Sequence, residues 1–407
     1  MDRRCPAPRH LVSALTPTRT AGLARLAGFT PRMGEAYATQ RNFDAGPGAH
    51  VAVSGLSPWL RHRLITEDEV IAAAHAAHGP DLSKKFVQEV LWRTYWKGWL
   101  EQRPWVWHEY KESLAALLPS TAGDIASVAA GRTGIACMDA WAKELVETGY
   151  LHNHARMWFA SIWCFTLRLP WQCGADLFLR HLLDADAASN TLSWRWVAGL
   201  QTRGKHYVAR AENIARYTRG RFNPVGELNE TPAPLPSTTP EPPKPAPRPS
   251  APLSGDVALL LHEDDLLPET LPMGCSRVVA IGGLAVPAGR SPSGCSLLTT
   301  EWTNGALADG LWRAAHHFNA PAQSITDIAA WAEATACEVV VTPYAPAGWT
   351  ADRLVVIEDQ LAARGIRLHR ILRPWDQDRW PHATGGFFAF SASVSHLETV
   401  AGSAPDA

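Results

Sequence analysis

The chain of 407 residues has seven cysteines, at 5, 137, 164, 173, 275, 295 and 337, and no CxxC pair among them. Thiols scattered in this way exclude a disulfide framework and speak against a zinc or iron–sulfur site. They fit a reducing compartment, and a cytoplasmic location is expected. An HExxH pair is also lacking, and no metal is expected. No apparent strand is followed by GxGxxG or GxxxxGK[ST], which excludes the usual glycine-rich cradles for dinucleotides and nucleoside triphosphates. Long apolar runs are missing too. The longest, MWFASIWCFTLRLPW at 157–171, is broken by Arg168 and Pro170 and falls short of the ~20 residues a membrane helix needs. No signal peptide is expected, because Pro6, Pro8 and Pro17 interrupt the start before any apolar run develops. Net charge is nearly absent, at −1.

Tryptophan, by contrast, is abundant: 18 residues, twelve of them before residue 200. Each supplies large buried area, one N–H that needs a partner, and a ring able to stack on flat ligands or bases. Most are expected in the core. With 46% apolar and 19% charged residues, the composition is that of a globular protein of about two domains. Residues 231–252 hold ten prolines and read as an extended, semi-rigid linker. It separates residues 1–230, with 27 Lys+Arg against 21 Asp+Glu, from 231–407, with 11 against 18. A modestly basic first half suits a polyanion such as DNA, or simply a solvated surface.

The first half reads as helical. TEDEVIAAAHAAH opens on Thr66, an N-cap residue, followed by acids suited to a first turn. FVQEVLWRTYWKGWL, DAWAKELVETG and ARMWFASIWCFTLRL carry apolar residues at helical spacing. The second half alternates: DVALLL, RVVAIGG, EVVVTPY and IRLHRIL read as buried strands, and ALADGLWRAAHHF, ITDIAAWAEATA and ADRLVVIEDQLAARG as helices. That order predicts a parallel sheet with crossover helices, a Rossmann-like α/β domain over 253–400 after an all-α domain over 1–230.

Polar groups of interest gather in a few stretches. DADAASNTLSWRW at 184–196 sets Asp184 and Asp186 two apart, beside Asn190, Trp194 and Trp196. Alone, it reads as an N-cap region or a metal pair. Glu89 and Arg93 stand four apart on a Trp-rich helix, either as an intrahelical pair or as two charges held on one aromatic wall. LHNHARM invites a metal-nuclease reading, but His152 and His154 are two apart and would not share a helix face.

Taken in order, residues 37–60, 86–96, 133–157 and 184–199, closing with RFNP at 221–224, resemble the FAD-binding domain of the DNA photolyase/cryptochrome family. The resemblance implies that Tyr37, Ser54, Leu56 and Ser57 grip the FAD phosphates. Phe86, Glu89, Arg93 and Tyr150 would line the cofactor cavity, with Asn153, Arg156, Asp184, Asp186 and Asn190 beside the isoalloxazine. It places Trp92, Asn153, His154, Met157 and Trp196 against a flipped-out pyrimidine dimer. Catalysis would fall to Glu89, Asn190, Trp194 and Trp171, the two tryptophans opening the chain that photoreduces the flavin. Departures accompany these matches: Val128 stands where that chain's outermost Trp is expected, Phe86 and Tyr150 replace Trp, Val53 replaces Thr, and His154 replaces a frequent Arg.

The second half is similar to the family's antenna domain, through DVALLLHEDDLLPETLP and the strand–helix–strand from CEVVVTPY to IRLHRIL. In the family that domain comes first, so the order here is permuted. Its residues do not specify an antenna chromophore. The expected activity is blue-light splitting of cyclobutane pyrimidine dimers in DNA by an electron from reduced FAD. The alternatives are a cryptochrome-like photoreceptor with a signalling partner, or an FAD-binding relic inactive in light.

Overall fold

A computed structural model describes residues 15–202, 204–236 and 241–400. Cys5, Pro6, Pro8 and residues 237–240 of the proline-rich stretch lie outside the described residues. The helical half comprises α1 (Arg19–Phe29), α2 (Glu35–Gln40), α3 (Ser57–Arg61), α4 (Glu67–Glu101), α5 (Trp105–Ala129), α6 (Ala136–Thr148), α7 (Asn153–Ser161), α8 (Trp171–His181), α9 (Ala187–Ala198) and α10 (Ala211–Tyr217). Helix α4 begins with a capping box between Thr66 and Glu69, and three acids stand in its first turn against the helix dipole. It joins two helices read separately in the sequence. The join bends at Gly79, whose φ of 70° and ψ of 166° only glycine adopts readily, just before Pro80, which has no N–H to donate. Its second part, richest in Trp, runs through the core and carries Glu89, Trp92 and Arg93.

The second half is a five-stranded, all-parallel sheet of β1 (Ser254–His262), β2 (Cys275–Leu284), β3 (Ala322–Ser324), β4 (Val339–Pro343) and β5 (Arg367–Ile371), ordered β3-β2-β1-β4-β5. Helices α11 (Leu297–Phe318), α12 (Ile328–Ala334) and α13 (Trp349–Ala362) connect the strands, and α14 (Pro374–Arg379) and α15 (Phe387–Val400) follow. The last six residues of β1 are buried, as a strand covered on both faces requires. All four expected strands form. Strand β3, with the sequence AQS, has no apolar pattern to announce it.

The strand order reverses direction between β1 and β4, and doubly wound sheets bind ligands in the crevice at such a switch point. Here arginines from the helical half fill it. The loop after β1 carries Glu263, Asp264 and Asp265, and Arg61 at the end of α3 bonds both Asp264 and Glu263. Arg61 also donates to Ala185 O at 2.8 Å and lies over the Trp349 ring. Arg63 reaches Asp265 at 3.1 Å and also Asp376, and Arg373 holds both oxygens of Asp265. These charges are buried, and they are sustained because each has an opposite partner. Glu101, at the end of α4, accepts from Tyr344 Oη and the Ala347 N–H. Gly98 lets α4 approach Trp380 closely, since a Cβ there would lie 2.8 Å from the Trp380 Cα.

Candidate functional site

Arg93, Arg156, Asp184, Asp186 and Asn190 are tied together where α4, α7 and α8 meet α9 and the turn before it. Asp186 caps α9, its Oδ1 accepting from Ser189 N at 2.8 Å. Its other oxygen accepts from Arg93 Nη1 at 2.8 Å, so one carboxylate fixes the helix start and a cation of α4. Two residues earlier, Asp184 takes a bidentate fork from Arg156 of α7, at 3.0 and 2.9 Å. Such planar pairing satisfies both groups on removal from water. Three opposite charges, those of Arg93, Lys97 and Arg61, hold the Asp186 carboxyl below its ordinary value despite its burial. Asn190, one turn into α9, donates from Nδ2 to Ala175 O at 2.8 Å, and among the described residues its Oδ1 takes no donor.

Glu89 and Arg93 do not pair with each other. Glu89 is bound to Arg41 and Arg93 to Asp186, because α4 presents the two toward different neighbours. Burial raises the Glu89 carboxyl above its ordinary value even beside Arg41. Tyr37 and Phe86 meet edge to face at 5.1 Å and form an apolar wall beside them. Leu56 caps and Ser57 opens the short α3, while Ser54 accepts from Arg25 Nε through its carbonyl. Arg156 lies over the Tyr150 ring, with 5.8 Å from Cζ to the ring centroid. Asn153 opens α7 and is exposed, and Met157 one turn on is half-buried.

Two expected substrate contacts are placed differently. His154 stacks on Trp158 at 4.2 Å, and its ring nitrogens reach Asn42 O and Tyr207 Oη, so its polar edge is engaged inside the fold. Trp92 lies flat against Phe387 of α15, with centroids 3.8 Å apart and planes within 7°. The second half therefore covers one face of this indole. Trp196 stacks on Tyr207 at 5.8 Å and is half-buried. Trp194 is buried against Gly174 of α8, where a Cβ would lie 2.3 Å from its ring. Trp171 opens the same helix, and its ring lies 5.8 Å from that of Tyr110 of α5.

Several neighbours were not anticipated. Arg41 gave no local signal. His50 bonds Glu144 at 2.7 Å, lies 3.8 Å from Asp44 and stacks on His152, a cluster assembled from three distant segments. Asp44 is already committed to Gly46 N–H, Trp141 Nε1 and Arg221. Lys97, buried and pushed down to about 8 by desolvation, lines a small cavity with Arg61, Asp186, Asp264 and Trp349. Buried His152 Nε2 has no hydrogen bond, and buried Arg93 Nε has only the ion pair with Glu67 at 3.5 Å, so polar atoms remain to meet a polar cofactor, which the residues present fit. No helix among the described residues is long and apolar enough to cross a membrane.

The family model described as the FAD binding domain of DNA photolyase matches residues 86–229. The chain is 34% identical over 191 residues to a deoxyribodipyrimidine photo-lyase of Synechococcus sp., which takes in 45% of this chain and 39% of that relative. It is 33% identical over 190 residues to the one of Streptomyces griseus, covering 44% of this chain and 40% of the relative. A bacterial class III photolyase from Agrobacterium tumefaciens, solved by crystallography, shares 26% identity at a TM-score of 0.44, covering 51% of this chain and 44% of that chain. This chain thus spans about two fifths of the length of the curated relatives it matches.

Proposed function

Because the helical half of this chain belongs to the photolyase/cryptochrome family and binds FAD, we propose that the protein is a light-driven flavoprotein acting on cyclobutane pyrimidine dimers in DNA. The observation that supports this most is the joint placement of Arg156 with Asp184, Arg93 with Asp186, and Asn190 and Trp194 on adjoining helices. FAD supplies the light-driven electron when bound, and the protein supplies binding, orientation and electrostatics. Tyr37, Ser54, Leu56 and Ser57 hold its phosphates. Arg156, Asp184, Asp186 and Asn190 hold the ring system, with Phe86, Arg93, Tyr150 and Asn153 completing the cavity.

On the DNA side, Trp196, Met157 and, once Phe387 moves aside, Trp92 receive a dimer flipped out of the stack. Flipping costs a few kcal/mol and is easiest at damaged bases, while stacking on aromatic rings offsets it. Glu89, whose carboxyl retains its proton more readily than an exposed one, donates a hydrogen bond to the lesion as it takes up the electron. The acidic second half, over residues 253–400, reaches the cavity through Phe387 on Trp92, and the basic balance of the first half, over 1–230, suits a polyanion.

A cryptochrome-like photoreceptor is the second reading, favoured by one feature: Phe387 already covers the Trp92 face on which a base would stack. Dimer repair on UV-damaged DNA under blue light, with the flavin reduced, separates the two. Bound FAD with no lesion turnover would leave the photoreceptor.

A further inference from the structure

The cluster around His50 belongs to none of the roles given above. Asp44 and His50 lie in the loop between α2 and α3, and Glu144 is near the end of α6. His50 and Glu144 stand 94 residues apart, so no spacing in the sequence announces the group. One carboxylate oxygen of Asp44, one ring nitrogen of His50 and one carboxylate oxygen of Glu144 lie within 4.8 Å of one another. Asp44 is fully buried and Glu144 is 4% exposed, while Val51, next to His50, is open to solvent. An ion can therefore enter from the loop side.

Charge favours a cation here. Two buried carboxylates face a single imidazole, and among the described residues Arg221 is the only Arg or Lys paired with either of them. One negative charge is left over. Burying it uncompensated is costly, so either a proton on His50 or a bound ion balances it.

The surroundings are those of a ligand set. Asp44 is oriented through both oxygens, Oδ1 accepting from Gly46 N–H at 3.0 Å and Oδ2 from Trp141 Nε1 at 2.9 Å. Outer hydrogen bonds of this kind fix ligating carboxylates, and Oδ1 keeps a second lone pair. His50 Nε2 meets Glu144 Oε1 at 2.7 Å, whereas its Nδ1 takes no hydrogen bond and stands 3.8 Å from Asp44 Oδ1. The ring is thus tied at one nitrogen and can turn. Zinc bonds of about 2.0–2.2 Å set tetrahedral ligands roughly 3.3–3.6 Å apart, so a closure of no more than about 1.5 Å completes the set. His152 stacks on His50 but is no ligand. Its Nδ1 accepts from the His154 N–H at 3.2 Å, which puts the ring hydrogen on Nε2 and leaves no lone pair there.

We propose that Asp44, His50 and Glu144 bind one divalent ion of the zinc class, with water in the fourth position. Imidazole in the set selects against calcium and magnesium, which take oxygen ligands. The ion ties the loop ahead of α3 to α6 and replaces the His50–Glu144 hydrogen bond with two metal bonds. None of the three ligands is assigned to the flavin, so the site does not depend on the flavoprotein reading.

The full chain, stripped by a chelator, is titrated with zinc and with magnesium by calorimetry, and the zinc-loaded sample is measured by X-ray absorption at the zinc edge. One zinc per chain is expected, bound at least about 100-fold more tightly than magnesium. Its shell should hold one imidazole, oxygens and no sulfur, and zinc should raise the melting temperature. Glu144→Gln keeps an acceptor for His50 but loses the charge, and should weaken zinc binding at least about tenfold. Cys275→Ser, at the exposed thiol, should leave binding unchanged. A wild-type chain that takes up no zinc would overturn the proposal and leave a proton on His50 as the balancing charge. A shell with sulfur or two imidazoles would overturn it as well, and so would unaltered zinc affinity in a folded Glu144→Gln. The absorption measurement needs no variant, so a misfolded Glu144→Gln does not shelter the proposal.

Discussion

Replacing Phe387 should strengthen binding to damaged DNA. Phe387 is 4% exposed and lies parallel to Trp92 at 3.8 Å, so a base seeking that indole must first displace it. The aromatic stack that competes is worth about 0.5–1.5 kcal/mol beyond area burial, or about two- to tenfold in affinity. Phe387→Leu preserves most of the volume and removes the π face, whereas Phe387→Ala opens the face fully at a stability cost of about 3–5 kcal/mol. The assay is fluorescence anisotropy with a UV-irradiated single-stranded oligonucleotide, run beside thermal melts that confirm folding. Tighter binding by Phe387→Leu is expected, with Phe388→Ala unchanged because that neighbour is 77% exposed. A folded Phe387→Leu that binds no more tightly than the parent would refute the competition.

Other expectations concern the joint between the halves and the cofactor. Asp264→Ala takes the nearer of two carboxylates from buried Arg61 and leaves it Glu263, so it should lower the unfolding free energy by about 1.5–3 kcal/mol, read by urea denaturation. Glu101, pushed up to about 7 by burial from an ordinary 4.5, binds a proton in the folded chain that the unfolded chain releases between these values. Stability should therefore fall as pH rises from about 4.5 to about 7, and Glu101→Gln should flatten that slope in melts across the range. Asp184→Ala breaks the fork to Arg156, and purified protein should retain less FAD by absorbance than the parent.

What could be read in advance follows from how local each interaction is. Thr66 with Glu69, and Asp186 capping α9, announced helix starts because a cap and its partner lie within one turn. Strands β1, β2, β4 and β5 were legible as short apolar runs, and β3 was not. The arginine-filled switch point was not: Arg61 and Asp264 are 203 residues apart, and HEDD carries no sign of its partner. Glu89 and Arg93 looked like a helical pair by spacing, yet tertiary neighbours took both. Phe387 was invisible for the same reason, since its place against Trp92 exists only through a ring from another helix.

The central claim is that this chain holds FAD and turns over a DNA lesion in light. The direct measurement is on the purified chain, with FAD photoreduced in the presence of thiol, given a thymine-dimer oligonucleotide and blue light while restored thymine is followed by its absorbance. Light-dependent restoration, lost in the dark and in Asn190→Ala, is the expected result. Full FAD occupancy with no thymine restored on single- or double-stranded substrate would contradict it.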